Sequence, residues 1–271
     1  MKLQEKVDKK GKIIKTQRGY QSKVDIIEIQ DTKEIFVKKK FNKEGLTGES
    51  ALKNSKKNSL IKENLKGVKD VKSPEIFEVN DNTIIMEYIK GEVFEKYYIR
   101  NITNSKKINS KLRMIVRGIH SIHRKKFSSK EELVHGDLHL ENVLIEPSEE
   151  KLVLLDATTK SLYNIDESSK YLDLSTFVYN LKFKIPYKYK SFLFYLYGKK
   201  YSKYFLEEYS KLVGFKVNNS SFKKFKIRVL KNQKSNIWNL DRNIIVKLVP
   251  IIHINLRIVF LSINLKLNRK N

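Results

Sequence analysis

The fold is decided by the stretch Val134-His135-Gly136-Asp137-Leu138-His139-Leu140-Glu141-Asn142-Val143-Leu144-Ile145 and by Leu152-Val153-Leu154-Leu155-Asp156, which follows it. Residues Val143 to Ile145 and Leu152 to Leu155 are predicted to form two short buried strands, joined by a turn over Pro147-Ser148-Glu149-Glu150. A hairpin of this length brings its two outer ends together. We therefore expect Asp137, Asn142 and Asp156 to lie close to one another.

These three side chains suit phosphoryl transfer, which requires little from a protein beyond positioning and neutralisation of charge. One carboxylate can orient an attacking hydroxyl and accept its proton, and we assign this role to Asp137. An amide oxygen and a second carboxylate, those of Asn142 and Asp156, can hold Mg²⁺ against phosphate oxygens, because Mg²⁺ binds few protein oxygens. The alternative is a polar loop between two core strands.

The same residues resemble a known family. Protein kinases space the catalytic Asp and the metal-binding Asn five residues apart and place the metal-binding Asp at the end of the following hairpin. The segment from His135 to Asn142 resembles the HGDxHxxN catalytic loop of the aminoglycoside phosphotransferase and lipopolysaccharide-core (heptose) kinase branch of the kinase-like superfamily. Leu155-Asp156-Ala157 stands where protein kinases have Asp-Phe-Gly. The resemblance implies a bilobed α+β protein-kinase-like fold and an enzyme that uses ATP and Mg²⁺.

A strand early in the chain carries the candidate phosphate-binding lysine. The run from Glu34 to Phe41 alternates like a strand and resembles the kinase strand whose lysine reaches the α and β phosphates. Period-two alternation places Val37 and Lys39 on one face and Lys38 on the other. Because a small branched residue two positions before the lysine would contact adenine, we favour Lys39 narrowly over Lys38. The alternative is an exposed edge strand with protective lysines.

A helix is predicted over residues 48–68, and the resemblance implies a glutamate there that pairs with the strand lysine. The candidates are Glu49 and Glu63. They lie one near each end of the segment, and neither is at the middle, where the family would place the partner. The assignment therefore stays open.

The strand that ends in Met86-Glu87-Tyr88 and is followed by Gly91 resembles the hinge that binds adenine through its main chain. We expect the main chain of Glu87 and Tyr88 to contact adenine, with Met86 packed behind it. The alternative is an ordinary core strand followed by a turn.

The helices around the catalytic stretch are predicted from apolar spacing. Residues from Leu112 to Ile122 recur at helical intervals, and the segment from Tyr171 to Leu181 reads as a buried helix. By resemblance, Asp173 anchors the backbone of the catalytic loop, while His135 braces that loop and His139 lines the base or the substrate hydroxyl. His120 and His123 are interpreted as packing or capping residues at a helix end.

Composition bounds the remaining classes of function. The chain has 271 residues, of which 40% are hydrophobic and 11% aromatic, and it has no cysteine. A disulfide framework and a Cys-based metal site are therefore excluded. Residues Met1 to Lys6 contain no apolar signal segment, so we expect a cytoplasmic protein.

The formal net charge of +26 indicates affinity for anions such as nucleic acid, an anionic membrane or a phosphorylated substrate. No nucleic-acid-reading motif is found, so we predict no nucleic-acid partner. An anionic membrane surface, at the inner face of the membrane, stays open as a partner. The alternative is that abundant lysine, asparagine and isoleucine reflect AT-rich coding.

The C-terminal third is matched to the family only by its helical character. Aromatic residues crowd the region from Tyr187 to Phe205 among lysines, which suits either core packing or a surface for glycan or membrane headgroups. The apolar tail from Ile244 to Leu267 contains Pro250 and several polar residues. We therefore interpret the tail as a docked or interfacial helix and not as a membrane span.

Together these observations predict a single kinase-like domain over residues 1–271, with a nucleotide-covering N-lobe over 1–87 and a helical C-lobe over 88–271. The predicted function is ATP- and Mg²⁺-dependent phosphorylation of a hydroxyl group on a small molecule or glycan, such as a lipopolysaccharide-core heptose. A sugar is favoured because only a short stretch separates Asp156 from Asp173, which leaves no long activation segment for a peptide. The alternatives are an atypical serine/threonine protein kinase and a catalytically weak pseudokinase that acts as a binding module.

Overall fold

A computed structural model describes residues 3–18, 22–41, 50–128, 132–148, 150–158 and 169–215, together with 217, 222–224, 227 and 231. Within these residues a sheet-rich part precedes a helical part. The elements are, in chain order, α1 (Leu3–Lys10), β1 (Gly11–Arg18), β2 (Ser22–Ile29), β3 (Ile35–Phe41), α2 (Ala51–Leu65), β4 (Val71–Lys72), β5 (Ile76–Asn80), β6 (Thr83–Glu87), β7 (Glu92–Val93), α3 (Phe94–Arg100), α4 (Ser105–His123), β8 (Val143–Ile145), β9 (Leu152–Leu154), α5 (Lys170–Tyr179), α6 (Ile185–Lys188) and α7 (Phe192–Val213). A 3-10 turn (Leu140–Asn142) precedes β8, and a π-helical turn (Asn180–Lys184) joins α5 to α6.

The first sheet has five antiparallel strands in the order β1-β2-β3-β6-β5. One face is closed by α1, where Val7 packs with Ile27, Ile29 and Ile85. On the other face Phe41, Ala51 and Ile84 form a second cluster, which brings the start of α2 against the sheet. Strand β3 lies at the centre of this sheet, so its residues point either towards α1 or towards α2.

The second sheet has four short strands in the order β4-β9-β8-β7, and it carries the hairpin that the sequence predicted. Val143 pairs with Leu154 and Ile145 pairs with Leu152, while β4 runs parallel to β9. The predicted second strand is one residue too long, because Leu155 lies outside β9. The hairpin is fully apolar on the inside, so its outer ends are fixed against the helical core.

The helical part is built around α4, whose apolar residues are buried from Ile108 to Ile122. Asn104 caps this helix by accepting a hydrogen bond from the Lys107 amide at 3.1 Å. The aromatic side chains are layered through the same core, with ring centroids 6.5 Å apart for Phe94 and Phe177 and 4.5 Å apart for Phe177 and Phe205. Burial of such rings is a large part of what holds α3, α5 and α7 together.

The predicted bilobed α+β fold class is confirmed by this arrangement. The aromatic region from Tyr187 to Phe205 divides in two: Tyr201 and Phe205 are buried, whereas Phe192 at the start of α7 is exposed. Among the described residues no helix is long and apolar enough to cross a membrane. The predicted tail helix over Ile244 to Leu267 lies outside the described residues, and so does Glu49.

Candidate active site

The catalytic loop, residues 135–142, is anchored by a buried carboxylate. Asp173 of α5 accepts the backbone N–H of His135 at 2.7 Å and that of Gly136 at 2.8 Å, as the sequence predicted. Gly136 has a φ of +87°, which glycine adopts without penalty. The carboxylate of Asp173 is fully buried, so it fixes the turn at which the loop enters the site.

A buried chain of hydrogen bonds continues from Asp173 into the last helix. His123 Nε2 lies 2.9 Å from Asp173 Oδ2, and His123 Nδ1 lies 2.8 Å from the hydroxyl of Tyr209 on α7. Burial acts to raise the pKa of Asp173, but the hydrogen bond and charge of His123 outweigh it and lower that pKa. His123 is therefore more than a helix-end packing residue, because it joins α7 to the anchor of the catalytic loop.

Asp137 lies in this loop with 6% of its surface exposed. Asn142 Nδ2 donates to the backbone oxygen of Asp137 at 2.9 Å and to its Oδ2 at 3.2 Å. His139 Nδ1 accepts the Glu141 amide at 3.3 Å, which places the proton of a neutral ring on Nε2, and this nitrogen lies 3.4 Å from Asp137 Oδ2. The structure thus holds Asp137 between Asn142 and His139 and fixes the direction of its carboxylate.

His135 was predicted to brace the loop by hydrogen bonds, and it does so through its main chain and not through its ring. The imidazole is completely buried, and neither ring nitrogen has a hydrogen-bond partner among the described residues. Its main chain does the bracing, through its N–H to Asp173 and its carbonyl, which accepts the Thr158 amide at 2.9 Å. Burial lowers the pKa of the ring, so the ring is neutral and serves as packing.

Asp156 reaches the same place on residues 155–158, which we call the metal loop after the role that the resemblance implies for Asp156. The Leu155 amide donates to the Asn142 carbonyl at 2.8 Å, which ties the outer ends of the hairpin together. Asp156 has a φ of +56°, a left-handed conformation that Asp and Asn tolerate better than most residues. The structure therefore brings Asp137, Asn142 and Asp156 together.

The two candidate lysines of β3 point in opposite directions. Lys39 is buried, with 6% of its surface exposed, and its Nζ forms an ion pair with Asp156. Lys38 forms an ion pair with Asp8 of α1 on the opposite face of the sheet. Of the two, Lys39 is therefore the lysine at the site.

The predicted hinge lies at the end of β6. Met86 is half-buried and packs against the cluster that contains Phe41, with Tyr88 half-buried just beyond the strand. The Glu87 amide already donates to the Glu75 carbonyl at 2.8 Å. An adenine contact made by the Glu87 main chain would therefore use its carbonyl.

Helix α2 presents cations and amides where the resemblance implied a carboxylate. Glu63 is exposed, and no described glutamate pairs with Lys39. Instead Asn54 and Lys57 face the metal loop from the buried side of the helix. Sequence reasoning missed them, although the signal was present: they occupy the helical face that Ala51, Ile61 and Leu65 define as buried.

A second group that the sequence did not predict lies beside the catalytic loop, since Glu141 of that loop is one of its members. Glu95, with 4% of its surface exposed, accepts hydrogen bonds from Lys188 Nζ at 2.6 Å and from the Tyr189 hydroxyl at 3.0 Å. Glu141 pairs with Lys184 at 2.7 Å and with Lys188 at 3.3 Å. Burial acts to raise the pKa of Glu141, but the Lys184 hydrogen bond and charge outweigh it and set that pKa at about 2. These five side chains form what we call the acceptor wall.

The donor set fits a hard divalent cation. Asp156 supplies a carboxylate and Asn142 an amide oxygen, which are oxygen ligands of the kind that Mg²⁺ prefers. No cluster of three or more His, Asp or Glu side chains suited to a metal is found in the part of the chain that the structure describes. A Mg²⁺ ion at this site would rest on these two residues and on phosphate oxygens.

Residues 21–185 match the family model of the ABC1 atypical kinase-like domain. Among solved structures, an ethanolamine kinase of Plasmodium vivax aligns with a TM-score of 0.54 at 10% identity, over 92% of this chain and 83% of that chain. The kinase PK-1 of Cydia pomonella granulovirus aligns at 18% identity over 55% of this chain and 54% of that chain, with a TM-score of 0.39. A search of curated protein sequences finds no match.

Proposed function

We propose that this chain, which belongs to the ABC1 atypical kinase-like domain family and is a kinase, transfers the γ-phosphoryl group of ATP to a sugar hydroxyl with the help of Mg²⁺. The observation that carries the proposal is the convergence of Asp137, Asn142 and Asp156 with the buried Lys39. A base, two metal ligands and a phosphate-binding cation are the parts that phosphoryl transfer requires.

In the proposed reaction the acceptor hydroxyl attacks the γ-phosphorus, and its proton passes to the carboxylate of Asp137. The new O–P bond forms as the bond from the γ-phosphorus to the bridging oxygen breaks, and ADP leaves with that electron pair. Asn142 and His139 hold the Asp137 carboxylate in its orientation. Lys39 would exchange Asp156 for phosphate oxygens. Bound Mg²⁺ would neutralise charge that develops on the phosphates.

The acceptor wall supports a sugar as the acceptor. The half-buried Glu141 and the exposed Tyr189 offer a carboxylate and a hydroxyl, the buried Glu95 holds Lys188 and Tyr189 in place, and each of the two carboxylates is neutralised by a lysine. Such a wall presents many hydrogen-bonding groups with little net charge, which suits a polyhydroxylated ligand better than a polycation. The resemblance of residues His135 to Asn142 to the lipopolysaccharide-core kinases supports the same choice, with a core heptose as the candidate acceptor.

An anionic membrane surface is the proposed partner. Phe192, Leu193 and Leu196 are exposed at the start of α7, with Lys199 and Lys200 exposed one turn further on. Apolar side chains beside lysines suit the boundary of an anionic bilayer, and the net charge of +26 favours the same contact. We expect the chain to sediment with phosphatidylglycerol vesicles and not with phosphatidylcholine vesicles. Retention by neither vesicle would remove the membrane from the proposal.

The function is tested by ATP turnover with Mg²⁺, with and without isolated lipopolysaccharide-core oligosaccharide. Acceptor-stimulated turnover is expected for the wild type and should be abolished in Asp156→Ala. In Asp137→Asn the loss of the base should lower kcat by about 10² to 10⁴-fold. Asp31→Asn is the matched control, because this exposed aspartate lies in the turn after β2, where it pairs with Lys10.

The two alternatives give different results in the same assay. Transfer to a generic protein such as casein, without stimulation by the oligosaccharide, would indicate a protein kinase. Nucleotide binding without turnover on any acceptor would indicate a pseudokinase, a reading that the lack of a described Lys39–glutamate pair favours. Absence of Mg²⁺-dependent nucleotide binding would contradict the proposed function itself.

A further inference from the structure

The buried face of α2 grips the backbone that directly follows Asp156. Lys57, with 4% of its surface exposed, donates from Nζ to the carbonyl of Thr158. Asn54 Nδ2 donates to the carbonyl of Ala157 at 2.9 Å, and Asn58 Nδ2 reaches the same oxygen at 3.2 Å. Three side chains of one helix thus supply donors to two successive carbonyls of the metal loop.

The same point also touches the catalytic loop. The Thr158 amide donates to the His135 carbonyl, so residues 157–158 and 135–136 lie against each other. A Cβ atom placed on Gly136 would be 2.5 Å from the Thr158 carbonyl oxygen and 3.2 Å from Lys57 Nζ. Lys57 therefore reaches the junction at which the catalytic loop and the metal loop meet.

A cation is the type of side chain that this junction requires. The described groups that α2 binds here include two backbone carbonyl oxygens, and Asp156 brings a negative charge close by. A carboxylate on α2 at this position would repel both. With a lysine in α2, the ionic partner of Lys39 among the described residues is Asp156. The helix thus acts on the metal loop and not on the strand lysine.

We propose that Lys57 is a positioning residue that holds the metal loop in the turn that presents Asp156, with Asn54 and Asn58 in support. This inference rests on the proposed function, since it assigns Asp156 to a metal. It predicts that α2 sets the affinity for the metal and leaves the metal-independent affinity for nucleotide to Lys39 and the hinge. Residues that orient metal ligands typically change metal affinity by about 10 to 100-fold when they are substituted.

The experiment uses the full chain and a fluorescent ATP analogue, titrated with Mg²⁺ and, separately, in EDTA. In Lys57→Met the Mg²⁺ concentration for half-maximal tightening of nucleotide binding should rise by about 10 to 100-fold. Binding in EDTA should be unchanged. Lys57→Arg keeps the charge and the donors and should restore most of the effect. Lys56→Met is the matched control, because Lys56 is exposed on the same helix.

Asn58→Ala guards against a variant that fails to fold, since Asn58 is only half-buried and shares the Ala157 carbonyl with Asn54. A smaller shift in the same direction is expected. A Mg²⁺ dependence in Lys57→Met equal to that of the wild type would overturn the inference. So would an equal loss of binding in Mg²⁺ and in EDTA. Those outcomes leave the proposed function standing, whereas a wild type without Mg²⁺-dependent binding would overturn both.

Discussion

The catalytic loop and the metal loop are held by side chains of opposite character. At His135 and Gly136 the free backbone groups are N–H donors, and the buried carboxylate of Asp173 accepts both. At Ala157 and Thr158 the free groups are carbonyl oxygens, and α2 supplies amide and amino donors. Each loop is thus held by side chains that complement its backbone groups: an acceptor for the N–H groups and donors for the carbonyl oxygens.

The two loops are also held by different parts of the molecule. Asp173, which anchors the catalytic loop, lies on α5 in the helical part. Asn54 and Lys57, which bind the metal loop, lie on α2, which packs on the first sheet. The Thr158–His135 hydrogen bond joins the two loops. Substitutions on the two sides should therefore separate stability of the helical core from affinity for the metal.

The largest effect is expected on the helical side. Asp173→Ala leaves two buried N–H groups and the buried His123 without their acceptor. Removing one member of such a buried group costs about 3 to 5 kcal/mol of unfolding free energy. Urea denaturation should show a lower midpoint with an unchanged slope. A loss of unfolding free energy smaller than that of Lys57→Met would contradict the expectation that the helical side determines stability.

A smaller loss is expected one step further along the same chain. Tyr209→Phe removes the hydroxyl that lies 2.8 Å from His123 Nδ1 and leaves that nitrogen buried without a partner. The expected cost is about 1 to 3 kcal/mol of unfolding free energy. Tyr204→Phe is the matched control, because Tyr204 is half-buried on the same helix. Equal losses in the two variants would contradict a role for the His123 contact.

The pH dependence of stability provides a third test. Burial lowers the pKa of the folded His135 ring below its ordinary value of 6.5, so the unfolded chain binds a proton that the folded chain does not. The unfolding free energy should fall as the pH drops below 6.5, by up to about 1.4 kcal/mol per pH unit for this one group, until the folded pKa is reached. The lowered pKa of Asp173 adds a loss in the same direction below its ordinary value of 3.8.

His135→Asn should reduce the fall in unfolding free energy that begins at pH 6.5. His120 provides the comparison, since burial and the charge of Arg124 lower its pKa as well, although this ring is only half-buried. His120→Asn is expected to remove a smaller part of the slope. A slope between pH 6.5 and 5 that is the same in His135→Asn and in the wild type would contradict the buried, neutral ring.

The smallest effect is expected at an exposed ion pair outside both loops. Arg100 binds Glu92 through two hydrogen bonds of 2.7 Å and 3.0 Å, with 61% of the arginine side chain exposed. Exposed pairs of this kind contribute less than about 1 kcal/mol. Arg100→Ala should leave the urea midpoint almost unchanged. A large shift would contradict the expectation that buried hydrogen bonds at the two loops contribute more to the unfolding free energy than exposed ion pairs do.

Sequence reasoning succeeded where the signal was local. The hairpin β8–β9 follows from two apolar runs and the turn between them, and its ends carry Asn142 and Asp156 with no further information. The choice between Lys38 and Lys39 was narrowed by the period of a strand, but which face meets the site depends on α1, an element that the sequence did not predict. Local pattern therefore gave the candidates, and the layers of the fold separated them.

Helical spacing indicates that Asn54 and Lys57 lie on the buried face of α2, but it does not indicate that they bind the metal loop. Asn54 and the Ala157 carbonyl are 103 residues apart in sequence, and nothing near either of them signals the contact. The acceptor wall is non-local in the same way, since Lys184, at the end of the π-helical turn (Asn180–Lys184), contacts Glu141 across 43 residues. Contacts of this kind depend on how helices pack, which one sequence does not specify.

At position 156 the backbone conformation and the proposed chemistry allow different residue types. The left-handed φ of +56° admits asparagine at little cost, whereas most other residues would strain the turn. The ion pair with Lys39, and the charge proposed to neutralise Mg²⁺ beside the neutral amide of Asn142, require the carboxylate that asparagine lacks. A single G-to-A change converts an aspartate codon into an asparagine codon. A change of one base at this codon is therefore expected to give a chain that folds and is inactive.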